Sequence, residues 1–307
     1  MRGLDEARSF YEEYGRPMLH EQFPAFEGRI AVGLAGRGSE CFGFDDAISR
    51  DHDFPQGFCL WLTDEDDLKI GIALARAYRG LPKQQSMQRS AMAEESRGVH
   101  RISAFYRRYT GTSGAPESWQ QWMSLPSYAL AEATNGAVWR DDLGAFTAIR
   151  QQLLTGMPED VRLKKLAARA IEMAQSGQYN YSRCLRHGEE GAAMLVLSAF
   201  VRSSAQLLYL LNRRHAPYDK WLLRGVDALP KLAELRPALE YLLTAENDET
   251  GRATKAGVVE DICAAVVREL SAQGLTDGSW DYLENHAFCL MDRIQNPAIR
   301  ALHVMDG

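Results

Sequence analysis

Hydrophobic and polar positions follow two different periods along this chain. From Leu4 to His20 the apolar residues Leu4, Ala7, Phe10, Tyr11 and Tyr14 recur at three- and four-residue steps, which lines one face of a helix. Pro24 and Gly28 end that run. The segment IAVGLA after Arg29 then places Ile30, Val32 and Leu34 on one side, the pattern of a short buried strand. Gly36 and Gly38 force a tight turn behind it. A second strand is predicted over Phe54–Leu62, with GFCLWL at its centre, then a helix over about 66–79 that Asp64 caps and Pro82 closes. Residues 83–97 are polar and fit either a helix or a surface segment. Val99–Ile102 predicts a third strand. The loop GTSGAP (111–116) precedes a helix carrying Trp119 and Trp122, one turn apart and packed in a core. Residues 137–139, between Asn135-Gly136 and Asp141-Asp142, predict a fourth strand.

After Gly144 the period changes. Helical spacing runs through Phe146–Leu154, Val161–Gln175, Tyr179–Arg213, Lys220–Leu229 and Val258–Leu270, with no strand pattern among them. The expected fold class is therefore α+β: a small mixed-sheet domain over 1–150 and a helical bundle over 151–307, with the boundary inside 142–160.

Composition narrows this picture without redirecting it. A chain of 307 residues with 46% apolar and 25% charged residues is an ordinary globular sequence, long enough for two cores. The net charge of −6 provides no broad basic footprint, which disfavours a nucleic-acid polymerase and leaves a tRNA acceptor open. The five cysteines are scattered and odd in number, a usage that points to a reducing cytoplasm. No run approaches eighteen apolar residues and the N-terminus lacks a signal-peptide core, so a membrane location is not expected. H-E-x-x-H, C-x-x-C, a full P-loop and a G-x-S-x-G elbow are all missing, and their reaction classes lose support.

The candidate chemistry concentrates in GLAGRGSECFGFDDAISRDHDF (33–54). Gly38-Ser39 stands where a turn leads into a short helix, and backbone N–H groups with a Ser hydroxyl there can hold a phosphate. If the following strand begins near His52, Asp51 and Asp53 point the same way, about 7 Å apart from the strand rise. Two such carboxylates are hard oxygen donors suited to Mg²⁺, with Mn²⁺ as a substitute, which also binds phosphate oxygens. Arg50 either neutralises the acids or meets a phosphate. Asp45 and Asp46 belong to the turn, and His52 to the opposite layer of the sheet. Taken alone, a D-x-D is an ordinary solvated strand edge and a G-x-G is weaker still. The two at thirteen residues' separation, each framed by a strand-like run, point to phosphoryl or nucleotidyl transfer.

Gly38-Ser39 followed by Asp51-x-Asp53 resembles the signature of the polymerase-beta-like nucleotidyltransferase superfamily, which includes the small antibiotic nucleotidyltransferases. More narrowly, GSECFGFDDAISRDHDF resembles the bacterial DUF4037 proteins, and the resemblance continues through TNGAVWRDDLG (134–144), QYNYSRCLR (178–186) and LLNRRHAPYDKW (210–221). It covers most of residues 30–225. It implies an NTP, ATP or another, whose terminal phosphates meet Gly38 and Ser39, Mg²⁺ on Asp51 and Asp53, and an acceptor hydroxyl that attacks the α-phosphorus as pyrophosphate leaves. Active members add a third carboxylate from a later strand. Here the corresponding strand offers His100 and Arg101, with Glu94, Glu95, Asp141 and Asp142 as neighbours.

In the helical half, Arg183, Arg186 and Glu189 are expected on one polar face of the 179–213 helix. Placed across a cleft, the arginines bind triphosphate and Glu189 takes the proton of the acceptor hydroxyl, with Glu190 as the fallback. Relatives that modify antibiotics take a base from a similarly placed helix. An ordinary i,i+3 ion pair of Arg186 with Glu189 explains the same spacing. Lys220, beside Trp221, either reaches the leaving phosphates or anchors a turn. The expected function is Mg²⁺-dependent nucleotidyl transfer from an NTP to a hydroxyl of a small molecule or protein. The alternative is a nucleotide-binding regulatory protein without turnover. Oligomeric state is not legible in these patterns.

Overall fold

The computed structural model describes residues 3–46, 57–82 and 96–307. The fold is α+β, as the two periods predict: a small mixed sheet with helices around it, and a larger all-helical part. The chain divides into two compact units, one of residues 1–117 and 129–156, the other of 118–128 and 157–307.

Unit 1 is built on four strands: β1 (Ala31–Leu34), β2 (Cys59–Leu62), β3 (Gly98–Arg101) and β4 (Ala137–Arg140). They lie in the order β3-β2-β1-β4. β1 pairs antiparallel with both β2 and β4, while β2 and β3 run parallel. The inner strands AVGL and CLWL are buried at every position and the outer GVHR and AVWR are not, which explains why only the first two read as unbroken apolar runs. One face of the sheet presents Val32, Leu60 and Leu62 to Phe10, Tyr11, Leu19, Leu74 and Tyr78. From the other face Trp61 stacks on Phe146, with ring centroids 4.0 Å apart, and meets the edge of Phe105. Residues of one strand thus feed two layers at period two.

The N-terminal helical run is longer than expected. It comprises Gly3–Phe10, a wide turn over Tyr11–Gly15 and Arg16–Gln22. Gly15 is required where Phe58 packs, since a Cβ there would fall 2.3 Å from the ring. The helix Asp64–Arg79 starts earlier than predicted and is capped by Thr63, not Asp64: the Thr63 hydroxyl accepts from the Asp66 N–H. Asp66 is fully buried, where it takes two hydrogen bonds from Arg29 Nε at 3.0 Å and one from the Thr63 hydroxyl. That pairing ties the chain before β1 to the start of the crossover helix.

Unit 2 centres on the helices Glu159–Met173, Glu190–Leu211 and Leu283–Asp292. Glu190–Leu211 is long and apolar enough to cross a membrane by length and composition alone, though Ser198, Arg202 and Ser203 interrupt it. Leu197, Phe200 and Leu207 on it are fully buried, and it packs against Glu159–Met173 as a core helix of the bundle. The predicted 179–213 helix is not continuous. A wide turn over Ala174–Tyr181 leads to Ser182–Arg186, and the chain then breaks at 187–189. Gly188 takes φ +74 there, while the N–H groups of Gly188 and Glu189 bond back to the Leu185 and Cys184 carbonyls, a glycine-terminated helix end. The 220–229 prediction resolves into a four-residue helix, Asp219–Leu222, and a tighter turn over Arg224–Ala228. The 258–270 pattern is the middle of the longer helix Glu249–Ala272.

The ring cluster beneath the sheet gives a direct stability test. Phe146 is fully buried against Trp61, Phe105 and Tyr106. Phe146→Ala should lower unfolding free energy by about 3–5 kcal/mol in urea titrations, the cost of emptying an aromatic site that cannot collapse. A loss under about 1 kcal/mol would show that this layer does not hold unit 1 together.

Candidate functional site

β1 ends at Leu34, and the chain turns through Gly36 and Gly38 into the short helix Ser39–Phe42. Both glycines have positive φ, +110 and +126, conformations that side-chain-bearing residues rarely adopt. The turn is braced by residues far away in sequence. The Asn135 Oδ1 accepts the Gly36 N–H at 2.8 Å, and its Nδ2 donates to the Gly36 carbonyl at 2.8 Å. One carboxamide therefore satisfies both backbone groups of Gly36, as a neighbouring strand would. The Gly136 N–H donates to the Cys41 carbonyl at 2.8 Å. Arg150 in turn spans the carbonyls of Thr134, Asn135 and Gly136, with Nη2 at 2.6, 3.3 and 3.4 Å. The Tyr109 hydroxyl closes the remaining side, 2.7 Å from where a Cβ on Gly36 would lie.

A buried ion pair sits under the turn. Glu40 and Arg97 are 3% and 9% exposed, and Arg97 Nη2 donates to Glu40 Oε1. Burial raises the Glu40 carboxyl above its ordinary value, and the Arg97 charge opposes that shift. A Cβ on Gly38 would fall 2.5 Å from Glu40 Oε1, so a side chain here would crowd the Glu40 carboxylate in addition to straining the positive φ. Cys41 and Cys59 are buried nearby, and burial raises both thiols, so neither is an activated nucleophile.

Of the residues singled out in the sequence, Gly38 and Ser39 lie on this turn, exposed and half-buried respectively. Arg50, Asp51, His52 and Asp53 lie outside the described residues, as do Glu94 and Glu95. The described sheet fixes where the chain on either side of them leaves and re-enters it. Because β1 and β2 are antiparallel, with Gly33 opposite Cys59, the chain leaves β1 for Gly38-Ser39 at the end where it enters β2. β3 carries His100 and Arg101 and no carboxylate. Asp141 and Asp142 follow β4, which β1 separates from β2, and both are engaged locally. Asp141 accepts the Thr147 N–H and hydroxyl, each at 2.8 Å, and Asp142 pairs with Arg140 at 2.8 Å. Among the described residues no three His, Cys, Asp or Glu side chains gather as a metal site.

The unit 2 candidates are not one helical face. Arg183 and Arg186 belong to the Ser182–Arg186 helix, whereas Glu189 lies past the Gly188 break and precedes Glu190–Leu211. Arg183 and Glu189 are exposed and Arg186 is at the surface end of its helix. The Arg183 guanidinium lies over the Tyr179 ring, 5.6 Å from its centroid, and donates to its hydroxyl at 3.3 Å. The Glu189 carboxylate has no ion-pair partner among the described residues, while Glu190 pairs with Arg252. The Lys220 ammonium rests over the Trp221 ring, 4.8 Å from its centroid.

Sequence reasoning passed over Asn135, Glu40, Arg97 and Arg150. Two of them were within reach, since Glu40 follows the Gly-Ser pair directly and Asn135 lies in the TNG step before β4. Arg97 and Arg150 carry no pattern that distinguishes them from surface arginines.

Residues 122–222 match the DUF4037 family, described as a domain of unknown function. The matched stretch contains Asn135, Arg183, Arg186, Glu189 and Lys220; the Gly38-Ser39 and Asp51-x-Asp53 segment precedes it. No curated protein matches the chain. A solved nucleotidyltransferase-like protein from Exiguobacterium sibiricum 255-15 is similar at 12% identity over 94% of this chain and 89% of its own. Its TM-score of 0.35 is too low for that likeness to bear on fold or activity.

His100 lies on β3, and its charge state is testable. Burial, with Arg108 and Arg97 nearby, pushes its pKa down to about 4. The fold thus favours the neutral ring. The stability this provides is complete above the unfolded value of about 6.5 and is lost as pH falls toward about 4. The gap in urea midpoint between the wild type and His100→Gln should therefore shift against the wild type between pH 7 and pH 4.5. A pH-independent gap would show that folding leaves the His100 imidazole unperturbed.

Proposed function

We propose that this chain transfers a nucleotidyl group from an NTP to a hydroxyl of a small molecule or protein. The observation that supports this reading most is the shared end of β1 and β2, where the Gly38-Ser39 turn departs and the chain carrying Asp51-x-Asp53 arrives. A phosphate held at the turn would then lie toward the strand that brings the carboxylates. The Ser39 hydroxyl and the turn's N–H groups supply donors, and Gly38 lets a phosphate approach the backbone closely. Asp51 and Asp53 would hold Mg²⁺, for which two carboxylates are a fitting donor set. When bound, the metal neutralises charge on phosphate oxygens. Arg50 would add positive charge for the triphosphate; Arg183, Arg186 and Lys220 stand as further phosphate candidates and Glu189 as the candidate base, each tested by its own variant.

A second reading, a nucleotide-binding regulator without turnover, has its own support. β3 carries no carboxylate, and Asp141 and Asp142 are both bound locally. The same assay separates the two. Purified protein with each NTP, Mg²⁺ or Mn²⁺ and a cell extract as acceptor source should release pyrophosphate or transfer label. Asp51→Asn with Asp53→Asn should abolish that transfer. Saturable NTP binding with no transfer under either metal would favour the regulator, and absence of binding would overturn both.

Glu189→Gln should lower the transfer rate about 10²–10⁴-fold, the range for a general base, with nucleotide affinity nearly unchanged. Equal losses in rate and affinity would assign Glu189 to nucleotide positioning.

A further inference from the structure

The strap over residues 134–136 belongs to the TNG motif, which the proposed chemistry does not use. The polar contacts of Asn135 and Gly136 to unit 1 nonetheless run to the Gly36–Cys41 turn. Asn135 meets both backbone groups of Gly36, Gly136 meets the Cys41 carbonyl, and Arg150 fixes the strap by its own carbonyls. The approach is as close as two main chains can come: a Cβ on Gly136 would lie 1.9 Å from the Leu34 carbonyl oxygen. An unpaired Gly36 N–H and C=O would otherwise seek water or other partners, and the positive-φ turn would have other arrangements open to it.

We infer that Asn135 is a positioning residue, whose carboxamide locks the Gly36–Glu40 turn in the arrangement that receives the phosphates. The inference rests on the reading of Gly38-Ser39 as a phosphate cradle. Asn135 spends its donor and its acceptor on Gly36, so its effect on a ligand passes through the backbone. A turn held in one arrangement binds without first being ordered, and loss of the clamp transfers that ordering to the binding step. Aspartate is no substitute: it retains an acceptor for the Gly36 N–H but sets a carboxylate oxygen against the Gly36 carbonyl.

Full-length wild type and Asn135→Ala are compared by amide hydrogen exchange and by titration with ATP and GTP in Mg²⁺. The expected result is faster exchange confined to residues 36–43, with the rest of unit 1 unchanged, and nucleotide affinity lowered roughly tenfold, as two lost hydrogen bonds would give. A merely structural asparagine would raise exchange across the whole sheet. Unchanged exchange at 36–43 overturns the inference, and so does faster exchange with unchanged affinity. Should Asn135→Ala fail to fold, Asn135→Asp takes its place with the same expected directions. A wild type that binds neither nucleotide overturns the cradle reading instead, and exchange alone then decides whether Asn135 holds the turn.

Discussion

Two main chains touching without side chains between them is the constraint on which unit 1 depends. Gly33 in β1 and Gly136 before β4 face the other chain segment's backbone, where a Cβ would fall 2.3 Å from the Ala137 oxygen and 1.9 Å from the Leu34 oxygen. The register between β1 and β4 shifts at this contact, between Val32 and Gly33. The extra residue lies on β4, where Trp139 falls between Arg140 opposite Val32 and Val138 opposite Gly33. β1 itself runs on without an insertion to Leu34 and into the turn through Gly36 and Gly38. The contact brings the Asn135 carboxamide within reach of Gly36, 99 residues away in sequence.

The electrostatics beneath the turn are less obvious than its backbone. A carboxylate directly under a candidate phosphate site opposes anion binding, and Glu40 lies against the Cα of Gly38. Its pairing with Arg97, which is also buried, cancels that charge at short range. Removing either partner alone would leave an uncompensated ion in the interior, which costs far more than the pair contributes. The pair is better understood as setting the turn's position relative to the start of β3 than as a source of stability. It joins the residue after Ser39 to the residue before Gly98.

Much of this architecture was legible in the sequence, and the rest was hidden for identifiable reasons. The four strands, the change to helices after Gly144 and the Gly-Ser turn follow from period and from glycine placement, which are local signals. The Thr63 cap was missed because Thr63 and Asp64 both fit the capping position, and the choice was made by Asp66, which is drawn inward by Arg29. The continuous 179–213 helix was wrong because apolar spacing carried across a break whose marker, His187-Gly188, was present but outweighed. That error had a chemical consequence, since Arg183, Arg186 and Glu189 were placed on one face by a helix that stops between them. Asn135 and Arg97 act through contacts across 99 and 57 residues, and no local pattern encodes those.

The bracing of the turn also bears on the choice between catalyst and regulator. A regulatory site needs an element with two arrangements of similar free energy, so that a ligand selects one of them. The Gly36–Cys41 turn is held instead by a carboxamide on both backbone groups of Gly36, by a main-chain hydrogen bond to Cys41 and by a buried ion pair. Each contact favours the same arrangement, and the Glu40–Arg97 pair is buried, where an unmade hydrogen bond is costly. Such a turn is a poor switch and a good fixed platform. Fixed platforms are what group transfer requires, because donors must already stand where charge develops as the reaction proceeds. A turn braced in this way fits the proposed transfer better than the regulatory reading. Among the described residues the weight on the other side is that β3 carries no carboxylate and that Asp141 and Asp142 are bound locally.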